Sequence, residues 1–139
     1  MVQIINMTSE EKYAYWLELA TYDLESANAM FITGRWFYVV FMCQQAIEKL
    51  CKGLYNFSID DNVPKVHNIR FILAKIETRL SVIVNSEIYN LADILSAYYL
   101  SNRYPDFIGQ SNTKINKDKA ENILEKTKEA FVWLQTLKK

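Results

Sequence analysis

Gln45, Glu48 and Lys52 stand three and four residues apart inside Trp36–Phe57, so on a helix an amide, a carboxylate and an ammonium share one face. Such a set can hold an anionic ligand, or it can be a solvated ladder in which each pair adds about 0.2–0.5 kcal/mol. Tyr38 and Phe41 fall in the same sector of that helix. Two aromatics left in water would waste apolar area, so this face is expected to be covered by protein or to stack a base.

His67 is the sole histidine and sits at an expected loop-to-helix junction, with Lys65 and Arg70 close by. It is a candidate proton carrier; the plainer reading makes it a capping or packing residue at a helix start. No strained serine motif accompanies it, which argues against triad hydrolysis. One His and two Cys are too few for a closed zinc site or a di-iron bundle, and no metal or cofactor is expected. Three Gly in all exclude a glycine-rich phosphate cradle. Arg103, before the rigid Tyr104-Pro105 corner, can hold a phosphate or can simply complement the carbonyls at a helix end.

These residues need helices to position them. The chain of 139 residues is half apolar but has only three Gly and two Pro, too few turns for an all-β fold. One all-α domain over residues 1–139 is expected. Sixteen basic and sixteen acidic residues create no global field toward nucleic acid or anionic lipid, so any such binding is local. Nine Tyr exceed what a small core needs and suit a chain that also buries surface against a partner. Cys43 and Cys51, eight residues apart on one helix, are separated by roughly 12 Å along its axis and cannot form a disulfide. They read as reduced thiols of a cytoplasmic protein. The amino-terminal MVQIINMTSEEK has no basic segment followed by an apolar run, and no stretch reaches membrane-span length, so neither export nor a membrane role is expected.

In chain order, Thr8 and Glu11 have capping-box spacing and open a helix whose inner stripe is Tyr13, Trp16, Leu17, Ala20, Leu24, Ala27 and Phe31. It ends near Gly34. Asp23 borders that stripe, where a carboxylate either reaches water from the flank or needs a partner. A very short turn at residues 33–35 makes the next helix, with Trp36, Val39, Val40, Cys43, Ala46, Ile47, Leu50, Leu54 and Phe57 inward, an antiparallel neighbour. Residues 56–66 read as a loop. A third helix begins near His67 or Asn68 and buries Ile69, Ile72, Leu73, Ile76 and Leu80. Ser86 is the expected cap of a fourth, with Ile88, Leu91, Ala92, Leu95 and Tyr98 or Tyr99 facing in and Tyr104-Pro105 stopping it. After an irregular loop from Arg103, Asn116 caps a fifth helix that buries Ala120, Ile123, Leu124, Thr127, Phe131 and Leu134.

The runs AYWLELATYDLESA and FYVVFMCQQAIEKLCKGL, the helix opening at His67, and AYYLSNRYPD together resemble the HEPN domain family, in particular its small stand-alone prokaryotic type. The resemblance covers nearly the whole chain. It implies a five-helix up-and-down bundle, usually a homodimer, with a nucleotide-binding or RNA-cleaving cleft, often acting with a minimal nucleotidyltransferase as a toxin–antitoxin pair. It carries ligand-binding roles onto Gln45, Glu48, Lys52, His67 and Arg103, and Tyr104, in the rigid corner beside Arg103, joins them as a ligand-binding candidate. Ribonuclease members pair an Arg with a His after four to six intervening residues. Here Ile108, Gly109 and Gln110 occupy those places, so Arg103 lacks its proton-transfer partner and only His67 could substitute. A nucleotide- or RNA-phosphate-binding module is therefore the first expectation. A metal-independent ribonuclease toxin with an atypical site at Arg103 and His67, and a non-catalytic dimeric interaction module, are the alternatives.

Overall fold

Capping side chains fix where most of the helices begin. Thr8 Oγ1 accepts from the Glu11 amide at 3.1 Å and Glu11 Oε1 accepts from the Thr8 amide at 2.8 Å, closing the expected capping box. The computed structural model describes residues 6–103 and 115–139, with side chains over residues 6–99 and 115–139. Its five helices are α1 (Ser9–Ile32), α2 (Trp36–Ser58), α3 (Ile69–Leu80), α4 (Ser86–Arg103) and α5 (Lys117–Gln135), with no strand among the described residues. The fold is all-α, as the composition requires.

Between α1 and α2 the chain reverses in three residues. Gly34 takes φ +75°, a left-handed conformation that costs glycine nothing, and the amides of Gly34 and Arg35 reach back to the carbonyls of Phe31 and Met30 at 3.1 and 2.8 Å. Asn68 caps α3 by accepting from the Phe71 amide at 3.2 Å, so His67 is released from the capping role open to it. The cap of α4 is Asn85 rather than Ser86: its Oδ1 accepts from the Ile88 amide at 2.9 Å and Ser86 becomes the first helical residue. Both residue types cap well, and the asparagine one position earlier has taken the amide. Asn116 caps α5 as expected, accepting from Lys119 at 2.8 Å.

Helix α2 touches each of the other four helices. Val39, Val40, Cys43, Ala46, Ile47, Leu50 and Leu54 are all buried, as their spacing predicts, while Trp36 and Phe57 are partly buried. Phe37, Gln44, Glu48, Cys51 and Asn56 are buried too, so the helix has hardly any wet side. The inward residues of α3, α4 and α5 close the core around it: Ile69, Ile72, Leu73 and Ile76; Ile88, Leu91, Ala92 and Leu95; Ala120, Ile123, Leu124, Thr127, Phe131 and Leu134. Cys43 and Cys51 are free buried thiols, and loss of water pushes Cys43 up to about 12, so it stays protonated at neutral pH. No helix among the described residues is long and apolar enough to cross a membrane.

Asp23 does not reach water from a helix flank. It is buried on α1 and takes Lys49 of α2 at 2.6 Å. An unpaired carboxylate there would carry a desolvation cost of several kcal/mol, roughly, which the ammonium offsets.

Candidate polar cleft

The site is built from a carboxylate that water barely reaches. Glu48 lies on α2 with only 7% of its side chain exposed, and three donors converge on it. Gln44 Nε2 donates to Oε1 at 2.5 Å, Lys52 Nζ donates to Oε2 at 2.9 Å, and His67 Nδ1 lies 2.9 Å from Oε2 and 3.2 Å from Oε1. An ionised carboxylate only accepts, so the proton between the two groups is placed on Nδ1, which leaves Nε2 as the ring edge turned away from Glu48. Gln44, fully buried, passes the chain on: its Oε1 accepts from Gln45 Nε2 at 2.6 Å. Gln44 precedes Glu48, and Glu48 precedes Lys52, by four residues each, so helix periodicity alone stacks these three on one face.

The loop between α2 and α3 brings His67 onto this face. Its ring stacks on Tyr99 of α4 with centroids 4.3 Å apart, and Phe41 of α2 lies parallel to Tyr99 at 6.3 Å. The imidazole is thus held at Nδ1 by Glu48 and across its face by Tyr99, while 45% of the side chain is exposed.

Beside this network lies a cleft of about 520 Å³, lined by α1, α2 and the α2–α3 loop. Lys52 and His67 form one wall. Lys65 stands on the loop and makes no ion pair among the described residues. Lys12, on α1, is buried and bonds Asp61 at 2.8 Å, and Asn56 donates to the same Asp61 oxygen at 3.2 Å. The Lys12 ammonium holds the Asp61 carboxyl below the usual range. Trp16 supplies the aromatic wall. It reaches that place because α1 and α2 meet at Gly53, where a Cβ would stand 2.7 Å from the Trp16 Cβ. The Trp16 indole N–H is buried without an acceptor among the described residues.

Four of the residues expected from the sequence, Gln45, Glu48, Lys52 and His67, are joined in one network. Only Lys52 and His67 line the cleft; Glu48 lies beneath them, and Gln45 is one bond further back. The Glu48–Lys52 pair is not a solvated ladder, since its side chains are 7% and 13% exposed. Arg103 ends α4, one turn beyond Tyr99, and its side chain lies outside the described residues, as does Tyr104. Tyr38, expected as a stacking surface, packs edge-on against Phe37 and takes no part in the cleft. Sequence reasoning missed Gln44, Asn56, Lys12 and the position of Trp16 in a ligand-sized wall. Lys12 had a signal, because it stands four residues before Trp16 in phase with the buried stripe of α1.

Among the described residues no group of His, Cys, Asp and Glu side chains could hold a metal ion. What the cleft offers is two ammonium groups held on carboxylates, Lys12 on the cleft-lining Asp61 and Lys52 on Glu48, with Lys65, an oriented imidazole and an indole face. That is a set suited to an anion carrying a ring.

Fold and site together define a small helical bundle with a polar cleft against its central helix. The HEPN domain matches residues 13–137, nearly the whole chain, and the protein belongs to that family. The crystal structure of TT1696 from Thermus thermophilus is similar in fold, with a TM-score of 0.78 and 24% identity over 91% of this chain and 98% of that one. ST0689, described as an archaeal HEPN homologue, superposes with a TM-score of 0.71 at 25% identity, again over 91% of this chain and 98% of the other. No curated protein matches the chain.

Proposed function

We propose that the cleft binds the phosphate of a nucleotide or of RNA, and that the protein is a self-associating module acting with a minimal nucleotidyltransferase as a toxin–antitoxin type pair. The observation that carries the binding reading is the convergence of Lys12, Lys52 and Lys65 on one cleft that also holds Trp16 and the His67 ring. Lys52 is the anchor. Its ammonium is held on buried Glu48, so little side-chain entropy is left to lose when a phosphate oxygen arrives. Lys65 adds a second charge from the loop, and the indole offers a face for the base. Membership of the HEPN family supports the partnership.

Isothermal titration with ATP and with a short single-stranded RNA tests this. A charge-assisted hydrogen bond is worth about 1.5–3 kcal/mol, so Lys65→Ala and Lys52→Ala are each expected to weaken binding about 10- to 100-fold. Lys65 is exposed, and its variant keeps the fold whatever happens at Lys52. Negligible heat from the native protein with both ligands would end the reading.

A second reading is a weak metal-independent ribonuclease. It is favoured by one feature: the His67 ring is oriented through Nδ1 by a buried carboxylate, the arrangement a general base needs. Native protein is then expected to cleave RNA without added metal, and His67→Ala to lower the rate about 10²- to 10⁴-fold. Binding without cleavage would leave only the first reading.

A further inference from the structure

Two surfaces far from the polar cleft in chemistry are complementary to each other. On α1, Glu18, Tyr22, Glu25, Ala29 and Ile32 recur at steps of four and three and fall within one narrow stripe. All five are exposed, Tyr22 by 70% and Ile32 by 76%. Neither Glu18 nor Glu25 has an ion-pair partner among the described residues. The stripe spans roughly 21 Å of helix at 1.5 Å per residue. It is acidic along its first half and apolar at its end.

The second surface is a groove of about 540 Å³ between the end of α2 and the outer face of α3. Tyr55 and Ile59 form the floor, and Phe71, 46% exposed, forms a wall. Lys75 and Arg79 stand at the rim one turn apart, and neither has a carboxylate partner among the described residues. Lys75 instead lies over the Phe71 ring at 4.9 Å. Among the described residues no acidic side chain lines this groove. It is apolar inside and cationic at the edge.

We infer that copies of this chain associate by seating the α1 stripe of one in the α2–α3 groove of the other. Tyr22 and Ile32 supply the apolar part, with Glu18 and Glu25 facing Lys75 and Arg79. Opposite charges on the two surfaces favour this pairing, and like charges disfavour stripe against stripe or groove against groove. The assignment rests on the self-association in the proposed function and not on ligand binding in the cleft. Loss of assembly with nucleotide binding intact, or the converse, therefore tells the two apart.

The test is molar mass by sedimentation equilibrium across a concentration series of the whole chain. Native protein is expected to exceed the monomer mass, and added salt to lower it. The pair Lys75→Glu and Arg79→Glu in one chain damages the groove; Glu18→Lys and Glu25→Lys in another damage the stripe. Each variant alone is expected to be monomeric, with the helical circular dichroism of the native chain because every altered residue is exposed. An equimolar mixture brings an intact stripe to an intact groove, and heavier species are expected to return. Native protein that stays monomeric overturns the inference, and so do charge reversals that leave the mass unchanged. A mixture that stays monomeric overturns it as well, and assigns the groove to a different occupant.

Discussion

Glu48→Ala is expected to lower the free energy of unfolding by about 3–5 kcal/mol, the range for removing one partner of a buried charge network. Gln44, Lys52 and His67 all point their donors at this one carboxylate. Alanine leaves the Gln44 amide with no acceptor in a fully buried position and strands the Lys52 ammonium at 13% exposure. His67 suffers less, because 45% of its side chain already meets water. Against a typical total stability of about 5–15 kcal/mol, such a loss brings the native state close to its limit. Glu48→Gln should fall between, since the amide keeps one acceptor oxygen but turns two N–H donors toward groups that are themselves donors. Urea unfolding at neutral pH followed by circular dichroism reads both variants. A loss below about 1 kcal/mol for Glu48→Ala would mean that the network relaxes freely and that Glu48 is not its hub.

That hub explains how much of the molecule can be read before folding. The helices are legible because their signals are local: a capping box at Thr8 and Glu11, a glycine at the α1–α2 reversal, and apolar steps of three and four along α3 and α5. The polar face of α2 is legible only as far as the question it poses. Phe41 points correctly to a covered face, whereas Tyr38 stays 48% exposed and does not; the cover over Glu48 is His67, itself stacked on Tyr99, 19 and 51 residues beyond Glu48 in the chain, and no periodicity links them. Asp23 shows the same limit. Its place beside Leu24 is local information, whereas its partner Lys49 depends on the antiparallel register of α1 against α2. The wall formed by Trp16 is harder still, because it depends on a backbone approach that a single glycine permits.

That glycine provides the second large effect. In an ordinary helix interior, Gly53→Ala would stabilise the protein by about 0.8–1 kcal/mol, because alanine has less backbone freedom to lose. Here the sign is expected to reverse. The new methyl group would stand 2.7 Å from the Trp16 Cβ and 3.3 Å from its Cγ, and a Cβ cannot rotate away as the tip of a long side chain can. Relief requires α1 and α2 to separate, and overpacking of that kind costs about 1–3 kcal/mol. The net change is expected to be a loss of about 1–2 kcal/mol, measured as a lower urea midpoint with an unchanged slope. Trp16→Ala serves as the control background, because alanine keeps the Cβ that makes the closest approach. Most of the Gly53→Ala penalty should therefore persist in the double variant, whereas a penalty that vanished would place the clash in the indole ring instead. The separation of α1 from α2 also moves Lys12 and Trp16 away from Lys52, so the same methyl group should weaken ATP binding while Glu48, Lys52 and His67 keep their bonds to one another. Binding that stays at native strength in Gly53→Ala would show that the α1 wall contributes nothing to the ligand and that the loop and α2 hold it alone.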